Sequence, residues 1–121
     1  MIASLKNIVL VPTDFSEACS NAAHQALDAA KLLNYTVVIL HVINSETLTY
    51  LQSKNLSINH IDSRLNTLAV ELMRQGGIQV EYISREGTIF TTIREVANEI
   101  GANLIYLGTH GKIGIHRFKC V

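Results

Sequence analysis

Ile8, Val9, Leu10 and Val11 form an unbroken aliphatic run closed by Pro12, and a run with no polar face narrows what the chain can build more than any other feature. A strand that is apolar on both sides belongs in the middle of a parallel sheet covered by helices above and below. The same signature returns in TVVILHV, Thr36 to Val42, and in shorter form in LIYL, Leu104 to Leu107. Between the first two runs, Ser16 is placed to cap a helix. Its small face, Ala18, Ala22, Ala23, Ala26, Ala29 and Ala30, lets backbone approach a sheet closely, with Leu27 and Leu33 filling the rest and a stop near Asn34. The N-terminal third therefore predicts a strand, helix and parallel strand joined by a right-handed crossover.

The stretch from Asn44 to Ser57 is polar, with two Leu and one Tyr, and fits either a short helix or a surface loop. Ile58, Ile61, Leu65, Leu68 and Leu72 then recur at steps of three and four, which predicts an amphipathic helix ended by Gly76-Gly77. Val80, Tyr82 and Ser84 alternate with Glu81, Ile83 and Arg85, as in an edge or near-edge strand. Thr88 is placed to cap a further helix with Ile89, Ile93, Val96, Ala97 and Ile100 inward and Gly101 as its terminator. Repeated β-α alternation gives an α/β fold with an open, doubly wound parallel sheet. Such sheets bind ligands at the carboxyl ends of their strands, where PTDFSE and GTHGKIG lie.

With 121 residues the chain is one domain, residues 1–121. Hydrophobic residues at 48% against charged residues at 17% exclude intrinsic disorder. Ten Lys and Arg balance ten Asp and Glu, which argues against nucleic-acid binding by bulk neutralisation of phosphates. Any anion site must be local. The N-terminal run is too short for a signal-peptide core or a membrane span, and Cys19 and Cys120 match no metal or disulfide spacing, so a reducing cytoplasm is expected.

Gly108, Gly111 and Gly114 recur at every third position in what is expected to be a strand-to-helix loop, where backbone N–H groups can wrap an anion. Lys112, Arg117 and Lys119 surround it, with His110 and His116, and no acidic residue follows Glu99. A plain glycine-rich turn with a solvated basic face fits the same residues, and the spacing is not that of a P-loop. Asp14, just past the first strand, offers a carboxylate to ribose hydroxyls or a hydrated Mg2+; an Asx turn leading into Ser16 uses it equally well. Backbone groups around Thr13 could read an adenine edge. His41 reads as a satisfied residue near the core, and Cys19 as a small buried packing residue. No nucleophile-base or paired-carboxylate motif stands out, so turnover is not expected. Slow ATP hydrolysis would have only Asp14 and His110 to draw on.

A strand ending in VPTDFSE, a second ending in LHV and a third ending in LGTHGKIG, in that order, resemble the universal stress protein family nearly end to end. The resemblance implies a flavodoxin-like, Rossmann-like five-stranded sheet of order 3-2-1-4-5, akin to adenine nucleotide alpha hydrolases. It also implies a homodimer or other homo-oligomer, and ATP as ligand in one subclass but not in another. It puts Pro12, Thr13 and Asp14 at the adenosine end of the site, Val42 against the base, and Leu107, Gly108, Gly111 and Lys112 along ribose and phosphates. ATP-binding members carry a third glycine, followed by Ser or Thr, nine residues after the second. Here Lys112 to Cys120 are those nine, and position 121 is Val121. The expectation is thus a domain lacking the final helix and strand, with a weakened phosphate half. Its Leu104–Leu107 edge is expected to be open to a neighbouring chain. A stress-response module binding ATP or another adenine nucleotide competes with a nucleotide-free, dimeric regulatory module of the same family.

Overall fold

The computed structural model describes residues 7–109 and 112–117; for residues 109 and 112–117 it describes the backbone alone. The elements are β1 (Ile8–Pro12), α1 (Glu17–Leu33), β2 (Thr36–Ile43), α2 (Ser45–Ser53), α3 (Asn59–Gly76), β3 (Val80–Glu86), α4 (Ile89–Ile100), β4 (Ala102–Thr109) and β5 (Lys112–Arg117). They form one sheet of order β3-β2-β1-β4-β5. The first four strands in that order pair parallel, and β5 runs antiparallel to β4.

The aliphatic runs sit where their composition requires. Side chains of β1 and β2 alternate between two apolar layers. Val9, Val11, Val37 and Ile39 face α1 and α3, while Ile8, Leu10, Val38 and Leu40 face α4. The alanines of α1 bring that helix close, and Leu65 and Leu72 of α3 are fully buried beside it. Burying each such leucine contributes about 1.5–3 kcal/mol. On the opposite layer Ile93, Val96, Ala97 and Ile100 of α4 close over the sheet.

Helix ends follow local chemistry. The Ser16 hydroxyl accepts the Cys19 N–H at α1, and Asn34, Gly77 and Gly101 end α1, α3 and α4 with left-handed backbones. Asn44 to Ser57 resolves in favour of a helix, because the Asn44 side chain caps it by accepting the Thr47 N–H. Leu33, Ile58 and Ile89, assigned inward from their periodicity, are instead exposed. Each stands at a helix end, where the helical stripe no longer overlies the sheet. Where β1 meets β4 the register shifts between Ile8 and Val9, and the extra residue, Asn103, accepts the Ile8 N–H through its side chain at 2.9 Å.

The end of β4 departs from the sequence expectation. Residues 112–117 fold back as β5, pairing Thr109 with Lys112 and Leu104 with Arg117. The Leu104–Leu107 edge is therefore covered by the chain's own tail rather than left open. Lys112, Gly114 and His116 alternating with Ile113 and Ile115 is a half-buried strand pattern, which accounts for strand formation here. The order of the first four strands is the one the family resemblance implies, and the fifth position, expected to be empty, is taken by β5 running antiparallel.

Candidate functional site

Pro12, at the carboxyl end of β1, is buried, and Thr13 beyond it continues the sheet, donating its N–H to the Leu40 carbonyl at 2.7 Å. The Thr13 carbonyl accepts from His41 Nδ1 at 2.8 Å, and its hydroxyl accepts the Phe15 N–H at 3.0 Å. Its N–H is thus committed to the sheet. The turn then takes Phe15 to φ +66°, a left-handed backbone rare for a bulky side chain. This reversal lets the chain enter α1 immediately after the strand.

Asp14 is the exposed residue of this turn. Its Oδ1 accepts the Ser16 N–H at 2.8 Å, so the Asx turn is present, and the carboxylate still faces solvent. Partial burial works to raise its pKa, but hydrogen bonds with Ser16 and Cys19 outweigh that and hold the carboxyl below its ordinary value. It is an anion at neutral pH, able to accept hydroxyl hydrogen bonds. Cys19 is buried beneath it, and desolvation raises its thiol despite hydrogen bonds that oppose the shift. A thiol so placed is a packing group rather than a nucleophile.

Val42 lies on β2 beyond the last residue of β1, since Pro12 pairs with Leu40. Backbone groups along β2 alternate between neighbours: Leu40 bonds toward β1, and Ile43 accepts Gly87 N–H on the β3 side. Val42 therefore turns its N–H and C=O toward the gap above β1; the C=O accepts the Asn44 N–H at 3.0 Å. By register, Asp14 lies just past the carboxyl end of β1 and Val42 near that of neighbouring β2.

Leu107 and Gly108 lie within β4, not in a loop before a helix. A Cβ on Gly108 would stand 2.4 Å from the Ala18 carbonyl oxygen and 2.8 Å from the Cys19 nitrogen, both backbone. Close packing of β4 against the first turn of α1 thus accounts for glycine at this position without an anion. Gly111 and His110 fall outside the described residues; Lys112 opens β5, and its side chain is not described. Among the described residues, GTHGKIG supplies the end of β4 and the start of β5 rather than a strand-to-helix loop.

Sequence reasoning missed a stack beside Asp14. The His41 ring lies against Phe15, with centroids 5.0 Å apart and planes at 23°, and Arg64 of α3 places its guanidinium carbon 4.1 Å from the Phe15 centroid. A groove of about 350 Å³ opens next to it between α1 and α3, lined among others by Phe15, Ser20, His60 and Arg64. The histidine in an otherwise aliphatic strand was the available signal. Nothing in the spacing of Phe15 or Arg64 announces that they meet.

Comparison with known proteins agrees with this architecture. The chain is 29% identical over 108 residues to the universal stress protein Sll1654 of Synechocystis, covering 85% of this chain and 66% of that relative, just short of two thirds of its length. A universal stress family protein from Burkholderia pseudomallei superposes with a TM-score of 0.68 at 23% identity, over 88% of this chain and 84% of that one. UspA from Lactobacillus plantarum gives 0.69 at 20% identity, over 88% and 81%. A universal stress protein solved in complex with cAMP gives 0.63 at 20% identity, over 84% and 72%. These structures share the fold. The family model described as universal stress protein matches residues 6–119, nearly the whole chain, so the chain belongs to the universal stress protein family.

Proposed function

We propose that this chain is a cytoplasmic stress-response module that binds an adenine nucleotide as a ligand without turning it over. The observation that carries this reading is the exposed, ionised Asp14 carboxylate just past the carboxyl end of β1, with Val42 near the end of neighbouring β2. A carboxylate suits a ribose diol, and a strand N–H and C=O suit the edge of a base. A fold relative solved with cAMP supports the same ligand class. In this reading Pro12, Thr13, Asp14 and Val42 form the adenosine end, with Leu107, Gly108, Gly111 and Lys112 on the phosphate side. ATP, with or without Mg2+, is then held mainly by its nucleoside.

The competing reading, a nucleotide-free interaction module, draws on Gly108. Its missing side chain is already explained by the Ala18 backbone, and β4 leads into β5 rather than into a helix. Calorimetric titration with ATP, ADP, AMP and cAMP separates the two. Binding to the natural chain, weakened about tenfold by Asp14→Asn, is the expected result. Asparagine keeps the acceptor for the Ser16 N–H and removes only the charge, whereas Gly108→Val would strike α1 and report on folding instead. Absence of heat with every adenine nucleotide near millimolar concentration contradicts the proposal and favours the interaction module.

A further inference from the structure

His41 is buried and hydrogen-bonded at both ring nitrogens. The Thr13 carbonyl has no hydrogen to give, so Nδ1 carries the proton of that bond. In the neutral ring Nε2 is a lone pair, and the Thr47 hydroxyl must donate into it across 3.0 Å. The same hydroxyl lies 3.1 Å from the Asn44 side-chain oxygen, which it can serve only when released from His41. A second proton on the ring reverses the Nε2 bond and sends the hydroxyl to Asn44. Every hydrogen bond in the chain of four residues then survives protonation.

The balance of charge does change. Arg64 also lies over the Phe15 ring on which His41 stacks, and among the described residues Arg64 has no carboxylate partner. The charged groups facing His41 are Arg64 on α3 and Asp14 on the β1–α1 turn, while α2 and its cap contribute the neutral Thr47 and Asn44. Burial first, and Arg64 with it, oppose the charged ring; the Thr13 carbonyl and Asp14 favour it, and the outcome is a pKa below the usual imidazole value. Of the three stacked groups Arg64 alone is exposed and carried on a flexible stem, so it is the member that yields. Phe15 then loses its outer cover while holding a backbone conformation that bulky residues avoid.

We propose that His41 is a positioning residue whose protonation unseats Arg64 from Phe15 and loosens the left-handed turn that presents Asp14. The bearing of this device on ligand affinity rests on the nucleotide reading above; the device itself does not. Near neutral pH the Arg64 δ-protons should show the upfield shift of a group held over an aromatic face. Nitrogen spectra should show His41 as the Nδ1–H tautomer. On acidification the Arg64 shift is lost with the same midpoint as the His41 ring. Arg64→Gln, an exposed substitution, moves the His41 midpoint up, and Phe15→Leu abolishes the upfield shift at every pH. An Arg64 signal that stays constant through the His41 titration overturns the proposal, as does a midpoint indifferent to Arg64→Gln. In the ligand arm cyclic AMP is the probe, because its phosphodiester keeps one charge throughout. Affinity is expected to fall about threefold from about pH 7.5 to a pH below the His41 midpoint read from the spectra, and to stay flat in His41→Gln. Affinity that holds or rises on acidification overturns the coupling. No binding at neutral pH counts against the nucleotide reading alone, and the spectra then decide the device.

Discussion

A methyl group added at Gly108 meets backbone, and one added at Gly76 meets the side chain of Leu27, whose Cδ1 would be 2.6 Å away. Backbone of α1 cannot step aside without shifting the helix, whereas a leucine rotamer can. Gly108→Ala is therefore expected to destabilise the protein by about 1–3 kcal/mol and Gly76→Ala by clearly less, measured as urea midpoints. The glycine spacing in GTHGKIG reads alike for an anion loop and for close packing, because both need the same missing Cβ. Only the position of Ala18 separates them, and that contact spans elements far apart in sequence. Asp14 was legible in both of its roles, turn and exposed carboxylate, since both follow from its place between a buried strand and Ser16. His41 carries a pH prediction. Its folded-state pKa lies below the ordinary imidazole value because of burial, so the folded state prefers the neutral ring. The resulting stability is complete above about pH 6.5 and is lost as pH falls from there through the lowered folded value. His41→Gln should flatten that limb of a stability-versus-pH curve measured in urea.

Among the elements, α2 shows why a short polar segment defies periodicity. Of its residues only Leu51 is buried, so no stripe exists to be read. Its start depends on one side chain, Asn44, which lies within hydrogen-bond distance of both the Thr47 N–H and the Thr47 hydroxyl. Asn44→Ala is expected to cost about 1 kcal/mol, and amide exchange in α2 should rise more than in α3. In α3 the apolar repeat was plain and mostly correct, because Ile61, Leu65 and Leu72 face the sheet through the middle of a long helix. Leu65→Ala there should cost about 2–5 kcal/mol by the same denaturation measurement. The Arg85–Glu99 pair joining β3 to α4 has side chains 38% and 56% exposed, and Arg85→Ala should change stability by less than about 1 kcal/mol.

Over the whole molecule, the covered parallel sheet and its helix layers were legible from the two-sided apolar runs, since such strands are stable only at the centre of such a sheet, whereas the strand order came from the family resemblance. The direction of β5 was not legible, because Ile113 and Ile115 fix a strand face without fixing its partner. That strand now does the work expected of a neighbouring chain. The case for association through an open Leu104–Leu107 edge loses its ground, and a homo-oligomer would need another surface. Removing residues 112–121 should restore the exposed edge and produce concentration-dependent association in sedimentation, which the full chain should not show through this edge. Among the described residues no helix is long and apolar enough to cross a membrane. The central claim concerns the carboxyl ends of β1 and β2, where Asp14 and Val42 lie. Amide spectra of the labelled chain titrated with ATP test it most directly. Shifts concentrated at Thr13, Asp14 and Val42 that saturate with nucleotide are the predicted result, and spectra unchanged near millimolar ATP, or shifts confined to other surfaces, would contradict it.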